Sequence, residues 1–110
     1  MPRIEAQVVW PDGSPHPSVE PYTIGVTAKG THVHWTCGHH VDGFVIWCLD
    51  PVEFDPAASV PVDPEKLPWV TDFTTKDVNI HQGSYTYKVR AHHTSGLTGE
   101  HDPRIQNGSG

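Results

Sequence analysis

The chain is poor in charge, in cysteine and in basic residues. Only 18% of its 110 residues are charged and two are cysteine. Two cysteines exclude a disulfide framework, and Cys37 and Cys48 lack the Cys-x-x-Cys spacing of a redox motif or structural zinc site. Seven Lys and Arg face thirteen Asp and Glu, a formal net charge of −6. No basic run occurs, which argues against nucleic acid as a partner. No stretch approaches the roughly 18 apolar residues of a membrane span. No apolar segment of signal-peptide length follows Met1-Pro2-Arg3. No membrane partner is therefore expected. The chain either acts where it is made or is a mature or excised fragment. Gly-x-Ser-x-Gly, His-Glu-x-x-His and phosphate-cradling glycine loops are all missing. The expectation is a protein that is not an enzyme and holds no cofactor.

A helical period is missing as well, and what stands in its place is short alternation broken by turn residues. Eleven prolines and ten glycines are scattered without a repeat, as frequent turns between short strands require. Nine histidines give the chain charge freedom between about pH 5 and 7. Strands are expected at 4–10 and 22–28. At 31–37, Val33, Trp35 and Cys37 share one face while His32, His34 and Thr36 share the other. After a turn at 38–43, residues 44–49 are apolar on both faces, as in a covered central strand. Five prolines between 50 and 72 leave room only for very short strands. Residues 73–80, with Val78 and Ile80 apolar, resume strand character. Residues 84–92 alternate Tyr85, Tyr87, Val89 and Ala91 against Thr86, Lys88, Arg90 and His92, and 97–102 adds a last short strand. Six or seven short strands predict an all-β, antiparallel two-sheet sandwich.

Three motifs in order carry a resemblance. Trp35 sits at the centre of His-Val-His-Trp-Thr. Gly43-Phe44-Val45-Ile46-Trp47 is similar to a Gly-Tyr-x-Val strand. Gln82-Gly83-Ser84-Tyr85-Thr86-Tyr87-Lys88-Val89-Arg90-Ala91 is similar to a strand entered through a corner tyrosine, and Thr94-Ser95-Gly96 fits the turn that follows. Over about residues 19–102 the chain resembles the fibronectin type III family. That resemblance implies a seven-stranded domain at 19–104, preceded by an extension with a short strand and proline-rich linker at 1–18 and followed by a tail at 105–110. It implies that Trp35 is the core tryptophan and that Tyr85 bonds back to upstream backbone. Gln82 stands where the family commonly has proline, and Ile80 where it has leucine. The fold hosts many roles, so it implies little about function.

The residues that carry chemistry are few. His32 and His34, at i and i+2, point one way and can share a metal ion if Asp77 or Asn79 on a neighbouring strand adds a third ligand. A polar solvent face is the favoured reading, so no metal is expected. Adjacent strand residues point oppositely, so neither His39-His40 nor His92-His93 is expected to chelate by itself. Asp50, Glu53 and Asp55 read as a solvated acidic loop. An antiparallel register would put Cys37 near Phe44, roughly 13 Å along the strand from Cys48 and beyond disulfide reach. Both are expected to be buried free thiols.

Strand 44–49 says most about function. With Phe44, Ile46 and Cys48 inward, Val45, Trp47 and Leu49 form an outward apolar stripe, the mark of an interface. Lys88 and Arg90 face the same side, which lets Arg90 stack on Trp47. The competing reading is that residues 4–10 or the proline-rich connection cover the stripe. Two functions follow. One is a structural subunit of a larger assembly, with other protein subunits as partners, resembling the decoration or tail-accessory proteins of bacteriophage virions. The other is a spacer or carbohydrate-binding module of a secreted bacterial enzyme, with Trp10, Trp47 and Trp69 as sugar-stacking faces.

Overall fold

The computed structural model describes residues 3–59, 69–78 and 81–108; expectations that fell on Asn79 and Ile80 lie outside this range. The fold is all-β and sandwich-like. Among the described residues it holds eleven short strands in three sheets, more than the seven expected. The strands are β1 (Arg3–Val9), β2 (Ser18–Glu20), β3 (Thr23–Val26), β4 (Thr31–Cys37), β5 (Val41–Trp47) and β6 (Phe54–Asp55). They continue with β7 (Asp72–Asp77), β8 (Gly83–Thr86), β9 (Lys88–His93), β10 (Thr98–His101) and β11 (Arg104–Asn107). The sheets run β2-β1-β4-β7-β6, β10-β9-β5 and β3-β11-β8.

Alternation places β4 as expected, with Val33 and Trp35 buried and His32 and His34 half-buried on the opposite face. Three elements differ from the sequence reading. The strand expected at 84–92 is two strands. β8 pairs with β11, β9 pairs with β5 and β10, and Tyr87 between them donates its amide to the Pro103 carbonyl. The last strand expected at 97–102 is β10, and Pro103, which has no amide to give a ladder, separates it from β11. Over its described residues, 3–18, the segment expected as an extension at 1–18 is not separate. β1 lies inside the five-stranded sheet, parallel to β4 with Ala6 opposite Trp35. Nor are residues 105–107 a tail. β11 sits between β3 and β8 and buries Ile105 and Asn107.

One core joins the sheets. Trp35 is fully buried, stacks on Phe73 (ring centroids 5.6 Å apart) and meets Tyr87 edge-on at 5.5 Å. Its indole Nε1 donates to the Tyr87 hydroxyl at 3.1 Å, so a buried polar atom on each ring is satisfied. Burial pushes the Tyr87 phenol far up. Tyr85, which alternation places on the face of Tyr87 and Val89 and so in the core, is only half-buried; its hydroxyl donates to the His81 carbonyl at 2.9 Å.

The acidic loop is not wholly solvated. Glu53 is buried and accepts from the His81 amide (2.8 Å) and the Asn107 side-chain amide (3.2 Å), which also donates to buried Asp77 at 3.1 Å. Burial raises the Glu53 carboxyl, but the His81 amide, the His81 ring and Asn107 outweigh it and hold it below the usual carboxylate range. Glu53 thus ties the segment before β6 to β11.

Both cysteines are free, but they are not both buried. Cys37 is half-buried and Cys48 is exposed. Cys48 takes a left-handed backbone (φ 65°) just past β5, which breaks the alternation that would have turned it inward. Burial, and then the Asp42 charge, push the Cys37 thiol up, which lowers its thiolate fraction. A limiting dose of iodoacetamide on the native protein is expected to label Cys48 first, read by peptide mass spectrometry. Preferential labelling of Cys37 would contradict this placement.

Candidate functional site

The outward face of the β10-β9-β5 sheet gathers aromatic and charged side chains around Trp47. Directly opposed residues share a face. The register pairs Val45 with Arg90, Trp47 with Lys88 and Gly43 with His92, and on β10 pairs Glu100 with Arg90. The Arg90 guanidinium lies over the Trp47 ring, 5.7 Å from its centroid, and Nε donates to Glu100 at 3.0 Å. Lys88 Nζ is 3.2 Å from Asp102. At the far end, His92 pairs with Asp42 and lies 5.5 Å from the Trp69 ring. Asp42 is the extra residue of a bulge between Val41 and Gly43, and the bulge turns it toward His92. Trp69 reaches this place because Gly43 has no side chain; a Cβ there would lie 2.9 Å from Trp69 Cβ.

Trp47 and Trp69 therefore mark the two ends of a strip about 13 Å long, measured from Gly43 to Trp47 along β5. Arg90, Lys88 and His92 line its side. Trp47 is half-buried and Trp69 is 36% exposed. The strip is aromatic at its ends and polar between them, with every cation already placed against a carboxylate or a ring.

Val45 and Leu49 do not form an exposed stripe with Trp47; both are buried. The chain's own connection runs along the edge of this part of β5. Phe44 exchanges backbone hydrogen bonds with Val70 (2.9 and 3.0 Å), and Ile46 accepts from the Ser59 amide at 2.8 Å. Leu49 turns into the core because the left-handed Cys48 shifts the alternation by one, and its amide donates to Ala57. Val45 is therefore buried within the chain and Leu49 belongs to the core, so neither stands on the accessible face. Trp47, Lys88 and Arg90 remain accessible. Trp10, considered as a sugar platform, is buried with its Nε1 bonded to the Ser14 carbonyl.

His32 and His34 lie on the outer face of β4, and among the described residues no third ligand joins them there; Asn79 lies outside that range. Asp77 is buried beside Asn107, and His34 is already engaged. Its Nδ1 is 2.6 Å from Glu5 on β1 and 2.7 Å from Arg3, and its Nε2 is 3.4 Å from Asp72. The hydrogen bond from His34 holds the Glu5 carboxyl below its ordinary value. The residues that do converge are Asp12, His39 and His40. The sequence places this pair in the turn at 38–43 yet carries strand alternation over to it, which sets the two rings apart. In that turn His40 is left-handed (φ 61°), and the alternation does not hold.

A further histidine bears on stability. The His101 ring stacks on His16 (5.2 Å, 7°) and lies 5.3 Å from Tyr22. Burial, then the nearby His16, hold its pKa below the ordinary value. The folded chain favours the neutral ring, so the unfolded chain takes the proton first. This contribution is present above the unfolded value, about 6.5, and is lost as pH falls through the depressed folded value. His101→Phe keeps the ring and removes the titration. Urea unfolding should show it losing less stability than wild type between pH 7 and 5; an equal loss would contradict the assignment.

Compared with protein-family models and with curated proteins, the chain matches none.

Proposed function

We propose that this chain is a non-catalytic binding module, a small structural subunit of a larger protein assembly, such as a virion decoration or tail-accessory protein. It docks through the Trp47 end of the β10-β9-β5 face. The observation that carries this reading is the Arg90 guanidinium laid over the partly exposed Trp47 at 5.7 Å, with Lys88 beside it. Tryptophan and arginine are the side chains that most often dominate the energy of a protein interface. Arg90 is held in place by Glu100, so little of its freedom is lost on docking.

A fibronectin type III-like descent is part of the proposal. The antiparallel pairing of β4 with β7 and the order β10-β9-β5 support it, as do the central Trp35 and the Tyr85 bond to His81. The parallel β1 is an addition to that plan.

The second reading, a carbohydrate-binding module, is favoured by Trp69, whose exposed ring shares the strip with Trp47. Affinity isolation of the wild-type chain from its native source, followed by titration of the purified partner, separates the two. A protein partner whose binding is lost in Trp47→Asp supports the assembly reading. Saturable binding of soluble oligosaccharides, lost in both Trp47→Ala and Trp69→Ala, with no protein partner sensitive to Trp47, would replace it.

A further inference from the structure

Two turns meet at one end of the molecule. The first follows β1, where Ser14 donates its amide to the Pro11 carbonyl at 3.0 Å and Gly13 is left-handed. The second joins β4 to β5, where Val41 donates to the Gly38 carbonyl at 3.2 Å and His40 is left-handed. Histidine is among the few non-glycine residues enriched in that conformation. The turns are locked together by backbone. Trp10 donates to the His39 carbonyl at 2.9 Å, Gly38 donates to Val8 at 2.8 Å, and Thr94 donates to the His40 carbonyl at 3.0 Å. The close approach needs Gly38, since a Cβ there would lie 2.6 Å from Val9 Cγ1.

This frame gathers three donor groups. The Asp12 carboxylate lies 3.3 Å from His39 Nε2 through one oxygen and 2.8 Å from His40 Nε2 through the other. One donor atom from each residue lies within 4.8 Å of the other two. Tetrahedral zinc with bonds of 2.0–2.1 Å sets its ligands about 3.3 Å apart; each histidine nitrogen stands close to that spacing from one of the two Asp12 oxygens, and the full set lies within 4.8 Å. His93 packs against His40, with ring centroids 5.2 Å apart, but its Nδ1 already accepts the Ser95 amide at 2.9 Å. It supports the ring of His40 and leaves one coordination position to water.

We propose that Asp12, His39 and His40 form a binding site for one zinc ion, with water completing the coordination. Two imidazoles and a carboxylate are a donor set that zinc accepts, one it shares with other imidazole-binding metals such as copper, nickel and iron(II). The site sits on two turns held by main-chain hydrogen bonds, so binding asks for small side-chain movements of exposed groups and no rebuilding of the fold.

The test uses the full chain without a histidine tag, titrated with zinc chloride by calorimetry. Cobalt(II) serves as a spectroscopic probe of coordination number. The expected result is saturable 1:1 zinc binding and an intense visible cobalt band of four-coordinate type. Asp12→Asn and His39→Gln should each weaken binding at least about ten-fold, the least expected when even an outer-shell partner is lost. Both side chains are more than half exposed, so these variants are expected to stay folded, which circular dichroism verifies. A His32→Gln/His34→Gln double variant should bind as wild type does. The proposal is overturned by the absence of saturable 1:1 binding, by binding that survives either Asp12→Asn or His39→Gln, or by binding lost in the His32/His34 variant.

Discussion

Trp35→Ala is expected to cost the domain about 3–5 kcal/mol, the usual cost of emptying a buried tryptophan site. The indole packs on Phe73 and on Tyr87, the residue between β8 and β9, and so joins the five-stranded sheet to the junction of the two three-stranded sheets. Its removal opens a cavity and takes the Trp35 Nε1–H donor from the Tyr87 hydroxyl, which remains buried. A domain of this size has roughly 5–15 kcal/mol in total, so the variant loses a large share of its stability. Its thermal midpoint should fall by more than about 10 °C. Tyr87→Phe isolates the hydrogen bond from the packing. It leaves the Trp35 Nε1–H buried without that acceptor and should cost about 1–3 kcal/mol. Urea unfolding of both variants measures the split. A Trp35→Ala cost below about 1 kcal/mol would mean that the sheets are not joined through this residue.

The parts of the fold readable from the chain are those set by local alternation. The faces of β4, the inward Phe44 and Ile46, and the side shared by Lys88 and Arg90 all follow from a period of two. So does the meeting of Arg90 with Trp47, because opposed residues in an antiparallel pair share a face. What could not be read depends on partners distant in sequence. The parallel seat of β1 beside β4 leaves no trace in the alternation of either strand. β11 was hidden by the tail-like Asn107-Gly108-Ser109-Gly110, although Ile105 between polar neighbours was a weak signal. Leu49 and Cys48 exchanged places because one left-handed residue shifts the phase of everything after it. Glu53 read as a surface acid because its donors, the His81 amide and Asn107, come from sites far along the chain. The Asp12–His39–His40 cluster was missed for a related reason: two adjacent histidines converge only when the residue between turn and strand leaves the extended conformation. The signals that were present are Gly38 just before the pair and Asp12-Gly13 in the other turn.

The second large effect concerns function. If Trp47 is the centre of a protein interface, Trp47→Asp should lower affinity by at least about 2 kcal/mol, or roughly thirty-fold. The substitution is chosen to leave the fold intact. Trp47 lies at the end of β5, only half-buried, and the register sets it directly opposite Lys88. An aspartate there faces a cation across the strands, a favourable cross-strand pair. Val45 and Leu49, which are buried, are left untouched. Arg90 keeps its bond to Glu100 but loses the ring beneath it.

The most direct measurement is therefore paired. The thermal unfolding of wild type and Trp47→Asp is compared alongside titration of each with the protein partner isolated on the wild-type chain. The expected result is a midpoint within a few degrees of wild type together with loss of measurable assembly. A folded Trp47→Asp that assembles with wild-type affinity would contradict the claim that this face is where the chain binds.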